Sequence, residues 1–262
     1  MSLQKRIYRQ KTRFILAAII PLFILMLFSS CSSSGGSKIV TDNPESAYLQ
    51  AKSRYDKKDY LDAIDDFNLI KLKFSGSNII DKAVYYLGMS YYERGEYLLA
   101  TYEFESLIKS YPASSFMEDS KYRLALCYFE LSPKYNLDQT YTRYAITELQ
   151  NYLDVYPSSK YSSEAEKKVA ELKNKLALKI YSSAELYFNV EKYKSALVYY
   201  DQLLNDYFDS DYADDALYGK IQVLIIKRRY EDASREIERF KKFFPSSPYM
   251  SKVKTLKSQI PF

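Results

Sequence analysis

The stretch YLGMSYYERGEYLLATYEFESLIKSYP, residues 86–112, contains two helical patterns in succession. The first pattern ends near Gly95, and the second begins near Glu96 and stops at Pro112. Because glycine and proline are common at helix ends, the patterns predict two helices joined by a tight turn. The apolar residues that give each helix one apolar face are Leu87, Tyr91 and Tyr92 in the first and Ala100, Phe104, Leu107 and Ile108 in the second.

The second helix of this pattern recurs along the chain with a small residue and a large partner four positions later. The small residues are Ala63, Ala100, Ala145, Ala196 and Ala233, and their partners are Phe67, Phe104, Leu149, Tyr200 and Ile237. Small residues let paired helices approach closely, while the larger neighbour fills the adjoining groove. The spacing is typical of the tetratricopeptide repeat. The chain is therefore predicted to be all-α, a right-handed superhelix of five tetratricopeptide-like helix pairs (an α-solenoid).

The predicted solenoid covers residues 44–262, with repeats at approximately 44–77, 81–114, 118–159, 177–210 and 214–247. The alanines are 37, 45, 51 and 37 residues apart, so two intervals are lengthened by 8 and 14 residues. We assign the first addition to an irregular loop within ELSPKYNLDQTYTRY, residues 130–144, and the second to a helix from about Ser163 to Asn189. Such a helix would run roughly 40 Å and join three repeats rigidly to a carboxy-terminal pair.

The first 30 residues have the order of a secretory signal, with five basic and no acidic residues in 1–13 and then the apolar run FILAAIIPLFILMLF. A membrane-spanning helix is the alternative, but it needs about 20 apolar residues, and Pro21 interrupts this run. The stretch LFSSC, which ends at Cys31, resembles the lipobox of bacterial lipoproteins. That resemblance implies cleavage before Cys31 and acylation of this residue with palmitate-type chains. Residues 31–43 are then a flexible tether.

The chain's positive charge lies in the leader. The whole chain has 38 Lys+Arg against 33 Asp+Glu, and the five surplus charges fall in residues 1–13. Without the leader the chain is neutral, so its basic composition does not indicate a nucleic-acid partner. Cys127 is the second cysteine. With Cys31 acylated no intramolecular disulfide is possible, and we interpret Cys127 as an ordinary buried residue.

Catalytic and metal-binding chemistry is disfavoured by composition. The chain contains no histidine, two cysteines and no glycine-rich phosphate loop, so neither a metal site nor a cofactor is predicted. Carboxylate pairs such as Asp65–Asp66 and Asp214–Asp215 are expected to lie on solvated helix faces. We therefore expect the protein not to be an enzyme.

Tyrosine is the strongest positive signal, with 29 residues in 262. Tyrosine offers a large contact area with few rotatable bonds and a polar end, which suits recognition of extended peptides. Packing between helices of adjacent repeats is the competing interpretation. In this class of repeat, the positions that point into the concave groove are Tyr48, Tyr85, Met89, Tyr92, Tyr122 and Leu126.

The chain from about residue 27 to 250 is similar to the BamD family of lipoproteins. The resemblance is carried by the lipobox, the five repeats, the addition in the third, the repeat endings KSYPASSF, DVYPSSKY and FFPSSPY, and the tract NKLALKIYSSAELYFNVEKYKSALVYYDQLLNDY. It implies an outer-membrane lipoprotein on the periplasmic face that takes part in β-barrel assembly and membrane insertion. The implied partners are a BamA-type barrel protein at the later repeats and unfolded outer-membrane proteins at the earlier ones. Phe208 departs from the family, which usually has proline there.

Two other functions remain open for a repeat lipoprotein. One is binding of glycans at the cell surface, although such proteins usually carry large insertions rich in tryptophan, and this chain has no tryptophan. The other is an adaptor for peptidoglycan enzymes or cell division. Both would use the same helical scaffold.

Overall fold

A computed structural model describes residues 39–261, and Cys31 and the leader lie outside this range. The described residues form helices and no strands. The helices are α1 (Pro44–Asp56), α2 (Tyr60–Lys73), α3 (Ile80–Glu93), α4 (Tyr97–Ser110), α5 (Met117–Leu131), α6 (Thr140–Val155), α7 (Ser162–Asn189), α8 (Tyr193–Asp206), α9 (Ala213–Ile226), α10 (Tyr230–Phe243) and α11 (Met250–Lys257). The first ten form five successive pairs, each helix packing on the next, so the predicted stack of helix pairs is confirmed.

The turn within a pair repeats one backbone conformation. Gly95 has a φ of 75°, and its equivalents Lys58, Glu191 and Arg228 have φ values of 64°, 59° and 57°. A residue in the left-handed conformation at this place lets two backbone N–H groups donate hydrogen bonds to carbonyl oxygens at the end of the first helix. In the second repeat, the N–H of Gly95 donates to Tyr92 O and the N–H of Glu96 donates to Tyr91 O. Three of the four turns hold this conformation without glycine.

Close approach of paired helices explains two glycines. A Cβ atom on Gly88 would lie 2.9 Å from the ring of Phe104, and one on Gly219 would lie 2.5 Å from Tyr200. Both aromatic residues are the large partners identified in the sequence, and both are fully buried. The aromatic ring thus occupies the space that a side chain on the facing helix would need.

The third pair lacks the left-handed turn because an eight-residue loop separates α5 from α6. Gln139, buried in this loop, donates from Nε2 to the carbonyl oxygens of Lys134 and Leu137 at 2.8 and 3.0 Å. Its Oε1 accepts from Thr142 Oγ1 at 2.7 Å. The predicted irregular loop is present but shorter than expected, since α5 continues to Leu131 and α6 begins at Thr140.

Helix α7 belongs to two cores, as the predicted long helix requires. Ala165, Val169 and Leu172 of its first half pack in the core of the third repeat. Ala177 and Ala184 of its second half pack in the core of the carboxy-terminal pair. The 28 residues of α7 span about 42 Å, so a single helix connects the two groups of repeats.

The ends of the stack show two features that the sequence patterns did not reveal. At the amino end, residues 39–43 of the expected tether pack against α2, with Ile39 buried and Asp42 paired to Lys73 at 2.5 Å. At the carboxy end, α11 and Ile260 cover the last pair, and Val253 is fully buried. Both contacts shield apolar surface that a terminal repeat would otherwise expose.

The expectation that the paired aspartates are solvated is wrong for Asp66, whereas Asp65, Asp214 and Asp215 remain partly exposed. Asp66 is fully buried and forms an ion pair with Arg54, Oδ2 to Nε 3.0 Å. Asp214 accepts from Ser247 Oγ at 2.7 Å, and Asp215 accepts from Tyr249 Oη at 2.5 Å. These carboxylates bind neighbouring elements because each faces a polar group from another part of the chain.

Candidate interaction surfaces

Five of the six predicted groove residues are buried. The exposed fractions are 9% for Tyr48, 7% for Tyr85, 6% for Met89, 2% for Tyr122 and 6% for Leu126. They lie in the cores of the first three repeats, so packing is their main role in this structure. Tyr92 alone keeps partial exposure.

The tyrosines instead form a repeated contact between successive pairs. Each first helix from the second repeat onward carries a tyrosine whose ring stacks on the aromatic residue just before the next repeat or, for the fifth repeat, just before α11. The ring pairs are Tyr85–Phe116 at 4.3 Å, Tyr122–Tyr161 at 4.4 Å, Tyr181–Tyr212 at 5.8 Å and Tyr218–Tyr249 at 4.7 Å. Offset stacking of this kind stabilises each junction by about 0.5–1.5 kcal/mol beyond burial.

Serine side chains reinforce three of these junctions. In the turn that enters each next repeat, Ser114 Oγ donates to Asp81 at 2.6 Å, Ser159 Oγ to Glu118 at 2.5 Å, and Ser247 Oγ to Asp214 at 2.7 Å. The serine and the aromatic residue two positions later recur in the repeat endings, so this pattern can be seen in the sequence alone. Their contact partners come from the preceding repeat and become visible only in the fold.

The first helices of the early repeats hold a half-buried arginine. The Arg123 guanidinium lies 5.5 Å from the ring centroid of Tyr92, which also packs edge-on against Tyr97 at 5.3 Å. Burial, and then the charge of Glu130, raises the pKa of Tyr92 to about 12. Arg123 forms no ion pair of 4.0 Å or less with the described residues. A cation beside aromatic rings and without a carboxylate partner is suited to an incoming anion.

Arg123 is not indicated by the sequence, because nothing near it in the chain distinguishes it from a surface arginine. Its surroundings come from residues on three helices, and no spacing rule relates them.

Polar side chains of α7 bind the elements on both of its sides. Lys175 Nζ donates to Ser132 Oγ at 2.9 Å, and Lys179 Nζ donates to the carbonyl oxygen of Leu137 at 2.5 Å. On the other side, Asn174 donates to Asp211 Oδ2 at 2.6 Å and accepts from its backbone N–H at 2.9 Å. These contacts hold the third-repeat loop and the entry to the fifth repeat on one helix.

The part of the chain that follows α7 is the most basic part of the described residues. Residues 192–262 contain 13 Lys+Arg against 10 Asp+Glu, whereas residues 39–131 contain 11 against 15. A cleft of about 430 Å³ between α8, α9 and α10 is lined by Lys194, Val198, Arg229 and Arg235 among others. At its edge Lys220 bridges Asp201 and Glu236, at 2.7 Å each.

The described residues contain no group of Asp, Glu or Cys side chains arranged to hold a metal ion. Cys127 is free and buried, as expected, and burial raises the pKa of its thiol to about 12. Within residues 39–261, no helix has the length and apolar character needed to cross a bilayer.

Stacked antiparallel helix pairs, with alanine or glycine at their close contacts, define this chain as a tetratricopeptide-repeat protein. The YfiO family, described as outer membrane lipoprotein, matches residues 41–224. The chain belongs to this family of outer membrane lipoproteins, which is the BamD family, and the resemblance seen in the sequence is thereby confirmed.

Solved structures similar to the chain include a thermophilic TPR protein of Thermus thermophilus, 14% identical over 84% of this chain and 100% of that chain, with a TM-score of 0.36. The TPR2AB domain of yeast Sti1 is 14% identical over 84% of this chain and 98% of that chain, with a TM-score of 0.39. A TPR repeats protein of Bacteroides fragilis is 13% identical over 84% and 86%, with a TM-score of 0.39. Curated protein sequences give no significant match.

Proposed function

We propose that this chain is a non-enzymatic scaffold of the outer-membrane β-barrel assembly machinery, anchored to the outer membrane through acyl chains on Cys31 and facing the periplasm. The observation that carries the proposal is the match to the outer membrane lipoprotein family over residues 41–224. The motif LFSSC supports the anchor, and a stack of helix pairs supports a role in binding other polypeptides. Several acyl chains give stable attachment, since one alone binds only marginally.

The later repeats are proposed to bind a BamA-type barrel protein. Their excess of basic residues, the exposed Arg228 in the turn before α10, and the exposed Arg235 at the cleft between α8 and α10 support an acidic partner surface. Complementary charge mainly raises the association rate and selects the partner.

A matched pair of charge reversals tests this partner. Arg228→Glu changes the left-handed turn of the fifth repeat, and Lys58→Glu changes the equivalent turn of the first. Glutamate is tolerated there, because Glu191 holds the same turn in the fourth repeat. We expect Arg228→Glu to reduce co-purification of the barrel protein from membranes and Lys58→Glu to leave it unchanged. Equal recovery in both variants would count against the later repeats as the binding site.

The earlier repeats are proposed to receive the carboxy-terminal segment of unfolded outer-membrane proteins. Arg123 supplies a cation for the terminal carboxylate, and Tyr92 supplies a ring for an apolar or aromatic side chain. A charge-assisted hydrogen bond to a carboxylate is about twice as strong as a neutral one.

This second partner is tested with a peptide that ends in phenylalanine with a free carboxylate. Amidation of the peptide and Arg123→Gln are each expected to weaken binding about tenfold, which corresponds to about 1.4 kcal/mol. Combined, they should weaken it little further, because both remove the same interaction. Full additivity of the two changes would show that the carboxylate binds elsewhere.

A further inference from the structure

A patch of exposed apolar side chains lies on the second helices of the second and third repeats. The exposed fractions are 54% for Leu98, 50% for Leu99 and 66% for Tyr102 on α4, and 50% for Tyr144 on α6. Single exposed apolar residues are normal on protein surfaces, but contiguous groups often mark binding sites.

Tyr128 of α5 connects the two helices. Its hydroxyl donates to Glu105 Oε1 of α4 at 2.8 Å. Its ring packs edge-on against Tyr144 at 5.5 Å and stacks near Tyr141 at 6.3 Å, both on α6. Along α4, Leu98, Tyr102 and Glu105 follow at four and three residues and so share one face. The surface is therefore continuous from Leu98 to Tyr144.

Two carboxylates border the tyrosines. Glu105 is exposed and Glu148, one turn after Tyr144, is half-buried. Neither forms an ion pair of 4.0 Å or less with the described residues. Burial, and then the negative charge of Glu105, raise the pKa of the Glu148 carboxyl, while Lys121 opposes the shift. The charge of Glu105 thus disfavours ionisation of Glu148, and a cation beside Glu148 would relieve this repulsion.

We propose that Tyr128, Tyr141 and Tyr144 with Glu105 and Glu148, here named the tyrosine–acid corner, bind an arginine or lysine side chain of a partner polypeptide. The aromatic rings attract the cation through their faces, and the carboxylates accept charge-assisted hydrogen bonds from it. Leu98, Leu99 and Tyr102 receive the apolar side chains next to that basic residue. The partner segment therefore combines basic and apolar residues.

The corner is separate from both surfaces of the proposed function. Glu105, Tyr141, Tyr144 and Glu148 lie on the second helices of repeats two and three, away from the cleft of the last two repeats. Tyr128 shares α5 with Arg123 but follows it by five residues, which places it about 140° around the helix axis. An anionic membrane surface is disfavoured as its occupant, because the two carboxylates would repel the headgroups.

The test uses the purified full chain and a short synthetic peptide in which arginine alternates with leucine. A second peptide carries citrulline instead of arginine, which keeps the side-chain shape and removes the charge. We expect the arginine peptide to bind about tenfold more tightly by fluorescence anisotropy. In the Glu105→Gln/Glu148→Gln variant the two peptides should bind equally.

A matched variant, Glu166→Gln/Glu191→Gln, removes the same charge from exposed positions elsewhere and should keep the preference for arginine. A photo-crosslinking residue at position 144 should capture the arginine peptide, and one at Leu186, which is 62% exposed, should not. Circular dichroism checks that each variant keeps the helical content of the unchanged protein.

Equal binding of the two peptides to the unchanged protein, or binding of neither, would overturn the proposal. So would a preference for arginine that survives in Glu105→Gln/Glu148→Gln or disappears in the control variant. A concentration-dependent dimer that Tyr144→Leu abolishes would assign the surface to a second copy of the chain instead.

Discussion

The first three repeats and the carboxy-terminal pair use the same tyrosine in different surroundings. In the early repeats Tyr48, Tyr85 and Tyr122 are at most 9% exposed. In the last two repeats the equivalent Tyr181 and Tyr218 are half-buried, although they stack on aromatic rings in the same way. One repeat pattern thus gives tightly closed junctions in the amino-terminal part and more open ones in the carboxy-terminal part.

Ionic contacts follow the same division. The early repeats contain a buried ion pair, Arg54 with Asp66, whose carboxylate is fully shielded. In the last two repeats Lys220 forms ion pairs with both Asp201 and Glu236, whose side chains remain 49% and 18% exposed. Water therefore competes with the ion pairs of Lys220 more than with the ion pair between Arg54 and Asp66. The carboxy-terminal end is thus the more hydrated and more basic part of the described chain, and the ionic contact of the amino-terminal end is the better shielded from water.

The largest expected effect comes from breaking the buried ion pair. Arg54→Met leaves the Asp66 carboxylate buried without its cation and should lower the free energy of unfolding by about 3–5 kcal/mol. Lys220→Met should cost roughly 1 kcal/mol, because its partners are partly hydrated. Urea unfolding followed by circular dichroism measures both. In the double variant Arg54→Met/Asp66→Leu most of the loss should be restored, and equal losses for Arg54→Met and Lys220→Met would contradict the comparison.

Removal of a stacked tyrosine should also affect the two regions unequally. Tyr122→Leu is expected to cost about 2 kcal/mol, and Tyr218→Leu about 1 kcal/mol, since the first ring loses more buried area and the same stacking. Thermal unfolding of the two variants at one pH gives the comparison. A larger loss for Tyr218→Leu would mean that exposure does not measure how tightly a junction is closed.

A smaller effect is expected where α7 joins the two regions. Asn174→Ala removes both hydrogen bonds to Asp211 and should cost about 1–2 kcal/mol. Hydrogen exchange should then speed up around residues 207–212 and stay unchanged around 44–56. The control Glu166→Ala on the same helix should leave both segments as they were. Uniformly faster exchange would show that the effect is global.

The smallest effect concerns pH. The pKa of the Glu148 carboxyl is raised in the folded chain by burial and by Glu105. At pH values just above 4.5, the ordinary pKa of glutamate, the native state therefore binds more protons than the unfolded state. The free energy of unfolding falls as pH rises through this range. In Glu148→Gln the melting temperature should depend less on pH there, while Glu166→Gln should match the unchanged protein. If Glu148→Gln and the unchanged protein had the same pH profile, Glu148 would not be the group that causes this pH dependence.

Local periodicity predicted much of the fold. The alanine and partner positions, the long helix beginning near Ser163 and the loop before Ala145 all follow from spacing that neighbouring residues impose. The candidate site was harder to predict. The place of Tyr85 and Tyr122 on a first helix predicts that they line a groove, yet the next repeat covers them. Arg123 and Tyr128 gave no signal, because their partners lie on other helices.

The sequence by itself determined the helices, their pairing and the membership of an outer membrane lipoprotein family, since apolar spacing and small-residue contacts are local properties of the chain. Only the tertiary structure decided which tyrosines are buried, that Asp66 is an ion-pair partner and that Glu105 meets Tyr128. The physical reason is that burial and charge pairing depend on residues from neighbouring repeats. Their relative positions are fixed by how successive helix pairs pack, which no single repeat specifies.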